Sequence, residues 1–355
     1  MINRTFLHLG ALISGIALAS SCAVPGGEKK ITPKVITAPV RFDSEDPAIW
    51  LNRENPAGSL ILATDKDAEG SVYVFDLKGK TIEEKTVRGI KRPNNIDVGY
   101  GFSLNGQPVD IAVVTERLEN RIRVFRLPDM TALDNGGIPV FAGEEQNAPM
   151  GIAVYQRPAD GIMYVIVSRK EGPDGTYLWQ YRLDDSGKGF ITAEKVRAFG
   201  RWSGQKEIEA VAVDNELGYV YYSDEGVGVR KYHADPGAPD RDRELALFAT
   251  RGFAEDHEGI AICKTGSEDG YIIVSDQAAG KLRLYPRNRP DHRHELVKTV
   301  MTSALETDGI EAATGLVLPE YPSGILVAMS DDRTYHYYSL QDILPFSEPQ
   351  PAQKP

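Results

Sequence analysis

The chain has 355 residues, 41% of them hydrophobic, and a formal net charge of −11. That length allows a sizeable core, and a single all-β domain can reach it. The negative balance excludes broad nucleic-acid binding, which needs a positive surface to displace counterions, but admits a small anionic substrate wherever local cations or metal ions face it.

The first 22 residues stand apart. Arg4 precedes an apolar run from Phe6 to Leu18, which ends in Ala19-Ser20-Ser21-Cys22. A positive start, a short apolar core and small residues describe an export signal, too short for a comfortable membrane span. A cysteine directly after the small residues resembles a bacterial lipoprotein signal. That resemblance implies lipidation of Cys22 and an exported protein held at a membrane. The other reading is an ordinary cleaved signal and a periplasmic or secreted protein. Residues 23–38, rich in Gly, Pro and Lys, read as a tether, and residues 346–355 as a flexible tail. Cys263 is the one cysteine of the body, so no intrachain disulfide forms there. At the end of the run GIAIC it reads as a small buried hydrophobe.

Residues 39–345 are built on a repeat. An apolar run closed by a polar triplet recurs as LILATDK, DIAVVTER, YVIVSRK, YVYYSDE, YIIVSDQ and ILVAMSD. The triplets open at Thr64, Thr115, Ser168, Ser223, Ser275 and Met329, so the period runs from 51 to 55 residues. A shorter run precedes each (DPAIWL, NNIDVGY, MGIAVY, EAVAVD, EGIAIC, DGIEAAT), and an alternating aromatic-bearing run follows. Strand-like units at this spacing predict an all-β, six-bladed propeller with four-stranded antiparallel blades around a central channel. The chain stops soon after the sixth unit's third run. The segment 34–43 is therefore expected to supply an outer strand to the last blade and close the ring.

If the units are radially equivalent, matching strand ends meet on one face of the channel. The third triplet positions are Lys66, Arg117, Lys170, Glu225, Gln277 and Asp331. The starts of the first runs add Asp46, Asn95, Met150, Glu209, Glu258 and Asp308. Cations fall in the first three units and acids dominate the last three. One reading is salt bridging between blades. The other is a polyanion site, with phosphate held by the basic arc and hard cations held by the carboxylates.

SEDPAIWL, ATDK, NNIDVGYGFSLNGQPVDIAV, SRKEG, KVRAF, DHEGIAI, SDQ, ETDGI and LPEYPSGILVA occur in that order between Val40 and Leu340. Together they resemble the β-propeller phytases. The resemblance implies a six-bladed, calcium-dependent phosphoric monoester hydrolase of the 3-phytase type, acting on phytate (myo-inositol hexakisphosphate). It implies phosphate contacts at Lys66, Arg117 and Lys170, with Glu171 beside the last and Asn95 as a further substrate contact. It implies calcium-associated positions at Asp46, Asp97, Glu209, Glu225, Asp256, Glu258, Gln277 and Asp308. The expected reaction is attack of a calcium-bound water with no phosphoenzyme, releasing orthophosphate and lower inositol phosphates, with Glu209 or Glu225 as the water-positioning or acid–base carboxylate.

The chain departs from the family's pattern at Met150-Gly151, where a tyrosine is common, at Glu209-Ala210 in place of Glu-Gly, and around Asp331 and Asp332. A lactonase-like calcium propeller and a non-catalytic, surface-anchored binding propeller remain as alternatives. Asp65 to Asp76 imitates an EF-hand loop, but strand-like runs flank it where that motif needs helices. Nothing in the sequence argues for an oligomer, and a monomer is expected.

Overall fold

A computed structural model describes residues 30–345. The expected export signal, Cys22 and the expected tail lie outside the described residues. Six antiparallel sheets follow one another along the chain. Blade one comprises Ser44–Trp50, Leu60–Asp65, Gly70–Phe75 and Val87–Ile90. Blade two comprises Pro93–Leu104, Gln107–Glu116, Arg121–Leu127 and Ile138–Pro139, with Thr131–Ala132 as an extra short strand. Blade three is Pro149–Gln156, Met163–Arg169, Leu178–Asp185 and Ile191–Phe199. Blade four is Val211–Asp214, Tyr219–Asp224, Gly228–His233 and Ala246–Phe248. Blade five is His257–Lys264, Gly270–Asp276, Lys281–Pro286 and Lys298–Met301. Blade six takes Ile310–Ala313, Ile325–Ser330 and Thr334–Ser339 from the end of the chain and its outer strand, Val35–Ile36, from the beginning.

That last pairing closes the ring. Val35 faces Tyr337 and Ile36 faces His336 in antiparallel register. The backbone N–H groups of Lys34 and Thr37 donate to the carbonyls of Tyr337 and Tyr335 at 2.7 and 3.0 Å, and Ile31 N–H donates to Met301 O at 2.8 Å. The described end of the stretch expected as a tether is therefore docked on the propeller.

The apolar runs look nearly continuous because each second strand is buried on both faces. Leu60 and Leu62 of blade one pack toward Ala112 and Val114 of blade two. Their neighbours Ile61 and Ala63 pack toward Ile325 and Val327 of blade six. Six such apolar layers, one per pair of adjacent blades, take the place of a single core. Cys263 is fully buried in the layer between blades five and six.

Candidate active site at the channel mouth

The polar triplets divide three roles by alternation along the strand. In blades one to five the opening hydroxyl donates to a backbone carbonyl of the next blade. Thr64 reaches Asn94 O, Thr115 reaches Met150 O and Ser168 reaches Ile208 O at 2.6 to 2.7 Å. Ser223 reaches His257 O, and Ser275 reaches Thr307 O at 3.1 Å. Blade six has Met329 at this position, and Ser44 of blade one bonds Ser330 O across the seam at 2.8 Å instead. The middle residue is tied within the fold, as in the pairs Asp224–Arg230 and Asp276–Arg283. The third residue (Lys66, Arg117, Lys170, Glu225, Gln277 or Asp331) is the first beyond the strand, where the ladder no longer dictates its direction.

The first strands deliver the other half of the site. In blades one, two, three and five the register slips between Ser44 and Pro47, Pro93 and Ile96, Pro149 and Ile152, and His257 and Ile260. A bulge re-aims the side chain it carries, and these bulges hold Asp46, Asn95, Met150 and Glu258. Glycine follows Met150 and Glu258, and also Asp308 at the matching position of blade six, because a neighbouring blade presses on the backbone there. A Cβ on Gly259 would lie 2.4 Å from Asp308 O, and one on Gly309 would lie 2.1 Å from Asp46 Oδ1.

Glu209, Glu225 and Glu258 each bring one carboxylate oxygen within 4.8 Å of the others. Glu225 is 4% exposed, and its Oε1 is buried without a hydrogen-bond partner. Burial, then the charges of Glu209, Glu207 and Asp256, push its carboxyl up to about 9. Burial and the neighbouring Glu225 and Glu209 likewise raise Glu258 well above the usual carboxylate range. Asp308 rises to about 7, chiefly through burial, and accepts a hydrogen bond from Gln277 Nε2 at 2.6 Å.

Next to this triad lies a pair absent from the sequence expectations. Buried Glu45 is ion-paired with Lys66 and accepts from Asn94 Nδ2 at 2.9 Å, and the same amide donates to Glu209. Burial and the neighbouring Glu209 raise the pKa of Glu45 well above the usual carboxylate range. Glu209 stays below its ordinary value despite burial, helped by Glu45, Lys66 and Asn94. Arg117 Nη1 reaches Asn94 Oδ1 at 3.4 Å. Lys66 and Arg117 thus converge on Glu45, Asn94 and Glu209.

Lys170 pairs with Glu207 at 2.8 Å. The pair lines a mouth cavity of about 590 Å³ together with Glu171, Glu225, Glu258 and Gln277. Cations and acids therefore interleave around the mouth instead of occupying two separate arcs. Asp46, Asn95 and Asp97 lie along the channel below, in a cavity of about 410 Å³ that shares Glu258 with the mouth. Asp46 Oδ2 accepts from Ile96 N at 2.9 Å, joining blades one and two. Asp97 accepts from Val98 N and Val154 N at 2.6 and 2.7 Å, joining blades two and three. Asp256 takes a two-pronged ion pair from Lys206. His257, between two of the acids in sequence, turns away: its Nε2 meets Ala249 O and its ring packs against Phe253 at a tilt.

Sequence reasoning missed Glu45, Asn94, Lys206 and Glu207. The first two sit one residue upstream of Asp46 and Asn95 at equivalent repeat positions, a signal hidden by the bulges. The last two lie in the irregular segment before blade four, outside the repeat.

The donor set is oxygen only, clustered and partly unsatisfied, with ammonium and guanidinium groups alongside. Such a set suits a hard cation and a phosphate-bearing anion. The fold and site define a six-bladed propeller with an oxygen-rich, cation-lined cluster at the channel mouth. A family profile described as Phytase matches residues 7–340. The chain belongs to that family and is a hydrolase of the 3-phytase type. It is 29% identical over 320 residues to the 3-phytase of Bacillus subtilis (strain 168), covering 85% of this chain and 79% of that protein. Among solved structures, Kuenenia stuttgartiensis hydrazine synthase matches with a TM-score of 0.54 and 14% identity over 84% of each chain. A luciferin-regenerating enzyme matches with a TM-score of 0.53 and 15% identity over 86% of this chain and 95% of its own. At that identity the two structures speak to the fold alone.

Proposed function

We propose that the protein hydrolyses phosphomonoester bonds of phytate in a calcium-dependent reaction, releasing orthophosphate and lower inositol phosphates. The observation that carries this reading is the Glu209–Glu225–Glu258 triad, with its unpartnered buried oxygen, beside Lys66 and Arg117. Family membership supports the substrate class.

Glu209, Glu225 and Glu258 would hold calcium, with Asp256, Gln277 and Asp308 at the edge of the same site. Bound calcium supplies charge neutralisation for the phosphoryl oxygens and acidifies a water. The chain's own groups do the rest. Arg117 presents a planar fork and Lys66 a point charge to phosphoryl oxygens as negative charge builds. Lys170, the exposed member of its pair with half-buried Glu207, exchanges that partner for a second phosphate of the polyanion. Glu209, whose pKa Glu45, Lys66 and Asn94 hold below its ordinary value, would orient the attacking water.

Phosphate release from phytate by the calcium-loaded protein, and its loss on chelation with EDTA, tests the reading. Folded, calcium-loaded protein that released no phosphate would overturn it.

A further inference from the structure

Lys206 and Glu207 are sequence neighbours in the segment that joins the outer strand of blade three to the inner strand of blade four. They reach in opposite directions across the mouth. Glu207 turns to Lys170 of blade three, and Lys206 turns to Asp256 at the start of blade five. The segment they sit on is held down on both sides. Trp202 Nε1–H donates to Lys206 O at 2.6 Å, Trp202 N–H donates to Asp174 Oδ1 at 2.8 Å, and Ser203 bonds the buried carboxylate of Asp224 at 2.7 and 3.0 Å.

The Lys206 ammonium meets both oxygens of Asp256, at 2.7 and 2.5 Å. It does so at the edge of the cavity that also holds Glu225 and Glu258. Asp256 is largely buried, whereas the Lys206 side chain is half-exposed. The anchored member is therefore the carboxylate, and the cation is the mobile one, carried on a flexible four-carbon stem. A monovalent ammonium spanning both carboxylate oxygens occupies the position a divalent ion would need to use Asp256 as a ligand.

We propose that Lys206 is a tethered cation that competes with calcium for Asp256 and sets the metal affinity of the mouth. In the metal-free protein it covers Asp256 and offsets part of the repulsion among Asp256, Glu225 and Glu258. When calcium enters, the ammonium swings out toward solvent and leaves the carboxylate to the metal. The inference rests on reading the acidic mouth as a metal site and does not depend on which phosphate ester is the substrate.

A calorimetric titration of metal-free protein with calcium chloride alone, comparing wild type with Lys206→Gln and Lys206→Arg, tests this. Removing a half-exposed competing charge should tighten calcium binding roughly three- to tenfold in Lys206→Gln. Lys206→Arg, which keeps the cation, should stay near wild type. In the wild-type protein, acetylation of Lys206 by a water-soluble succinimidyl ester, read by mass spectrometry, should rise on adding calcium. Unchanged or weaker calcium binding in Lys206→Gln overturns the proposal, as does acetylation indifferent to calcium or a wild-type protein that binds none. A protein that shows the Lys206 effect yet releases no phosphate from phytate would sink the proposed function and leave this inference standing.

Discussion

Arg117 differs from the other cations of the mouth. Lys66, Lys170 and Lys206 each meet a carboxylate, whereas among the described residues Arg117 makes no ion pair and reaches only the amide oxygen of Asn94. Burial, then the nearby Arg92, lowers its pKa although Glu209, Glu207 and Glu45 act against this, so an incoming phosphate would give a charge without an ion-pair partner a direct one. Arg117→Ala is expected to lower kcat/KM for phytate by roughly 10²–10³, while the thermal midpoint moves by only a few degrees, roughly the effect of a mutation away from the core. Steady-state kinetics beside a thermal melt check both. Glu225 is one of several buried carboxyls, with Glu258 and Asp308, that contribute to the pH behaviour. Its folded-state pKa of about 9 lies above the ordinary 4.5, so the folded state binds more protons than the unfolded chain across that window. By linkage, stability then falls as pH rises through it. Urea titrations in EDTA at about pH 5, 7 and 9 should show declining stability, and saturating calcium should flatten the decline.

At the scale of the element, the triplet is the working unit. Its opening hydroxyl joins blades, its middle residue anchors the strand end, and its third residue enters the mouth. Thr115 shows how the hydroxyl joins blades, since it accepts from Asn95 N–H at 3.1 Å and donates to Met150 O at 2.7 Å, both buried. Thr115→Val keeps the shape and leaves both backbone groups without that partner, at a cost of about 1–3 kcal/mol. Chemical denaturation of the variant should show that loss. Periodicity made these elements legible, since a β-branched run ending in polar residues reads as a strand reaching a surface. The bulges were not legible. They depend on how the next blade packs, and they bring Glu45 and Asn94 into the site one residue ahead of the positions the repeat pointed to.

For the whole molecule, closure is the decisive feature. The two-residue strand Val35–Ile36 covers the edge of Thr334–Ser339, which would otherwise present unpaired backbone groups. A chain beginning at Ala38 loses the Lys34, Val35, Ile36 and Thr37 backbone pairings. It should be less stable by roughly 2–5 kcal/mol, about 1 kcal/mol per hydrogen bond, and should associate through the bare edge. Thermal melts with light scattering at several concentrations would reveal both effects.

The six-fold period, the blade architecture, the segment that closes the ring and the cations and acids at the strand ends were all present in the order of residues. They follow from local alternation and its repetition, which need no knowledge of distant neighbours. The charge partners were not, because partner choice depends on which strand ends a closed ring brings face to face and on the path of the irregular segment carrying Lys206 and Glu207. The linear pattern suggested a basic arc opposite an acidic one. Packing instead placed Glu45 under Lys66, Glu207 against Lys170 and Lys206 on Asp256, and brought three glutamates, Glu225 and Glu258 buried and Glu209 half-buried, close enough that a cation is the natural way to relieve their repulsion.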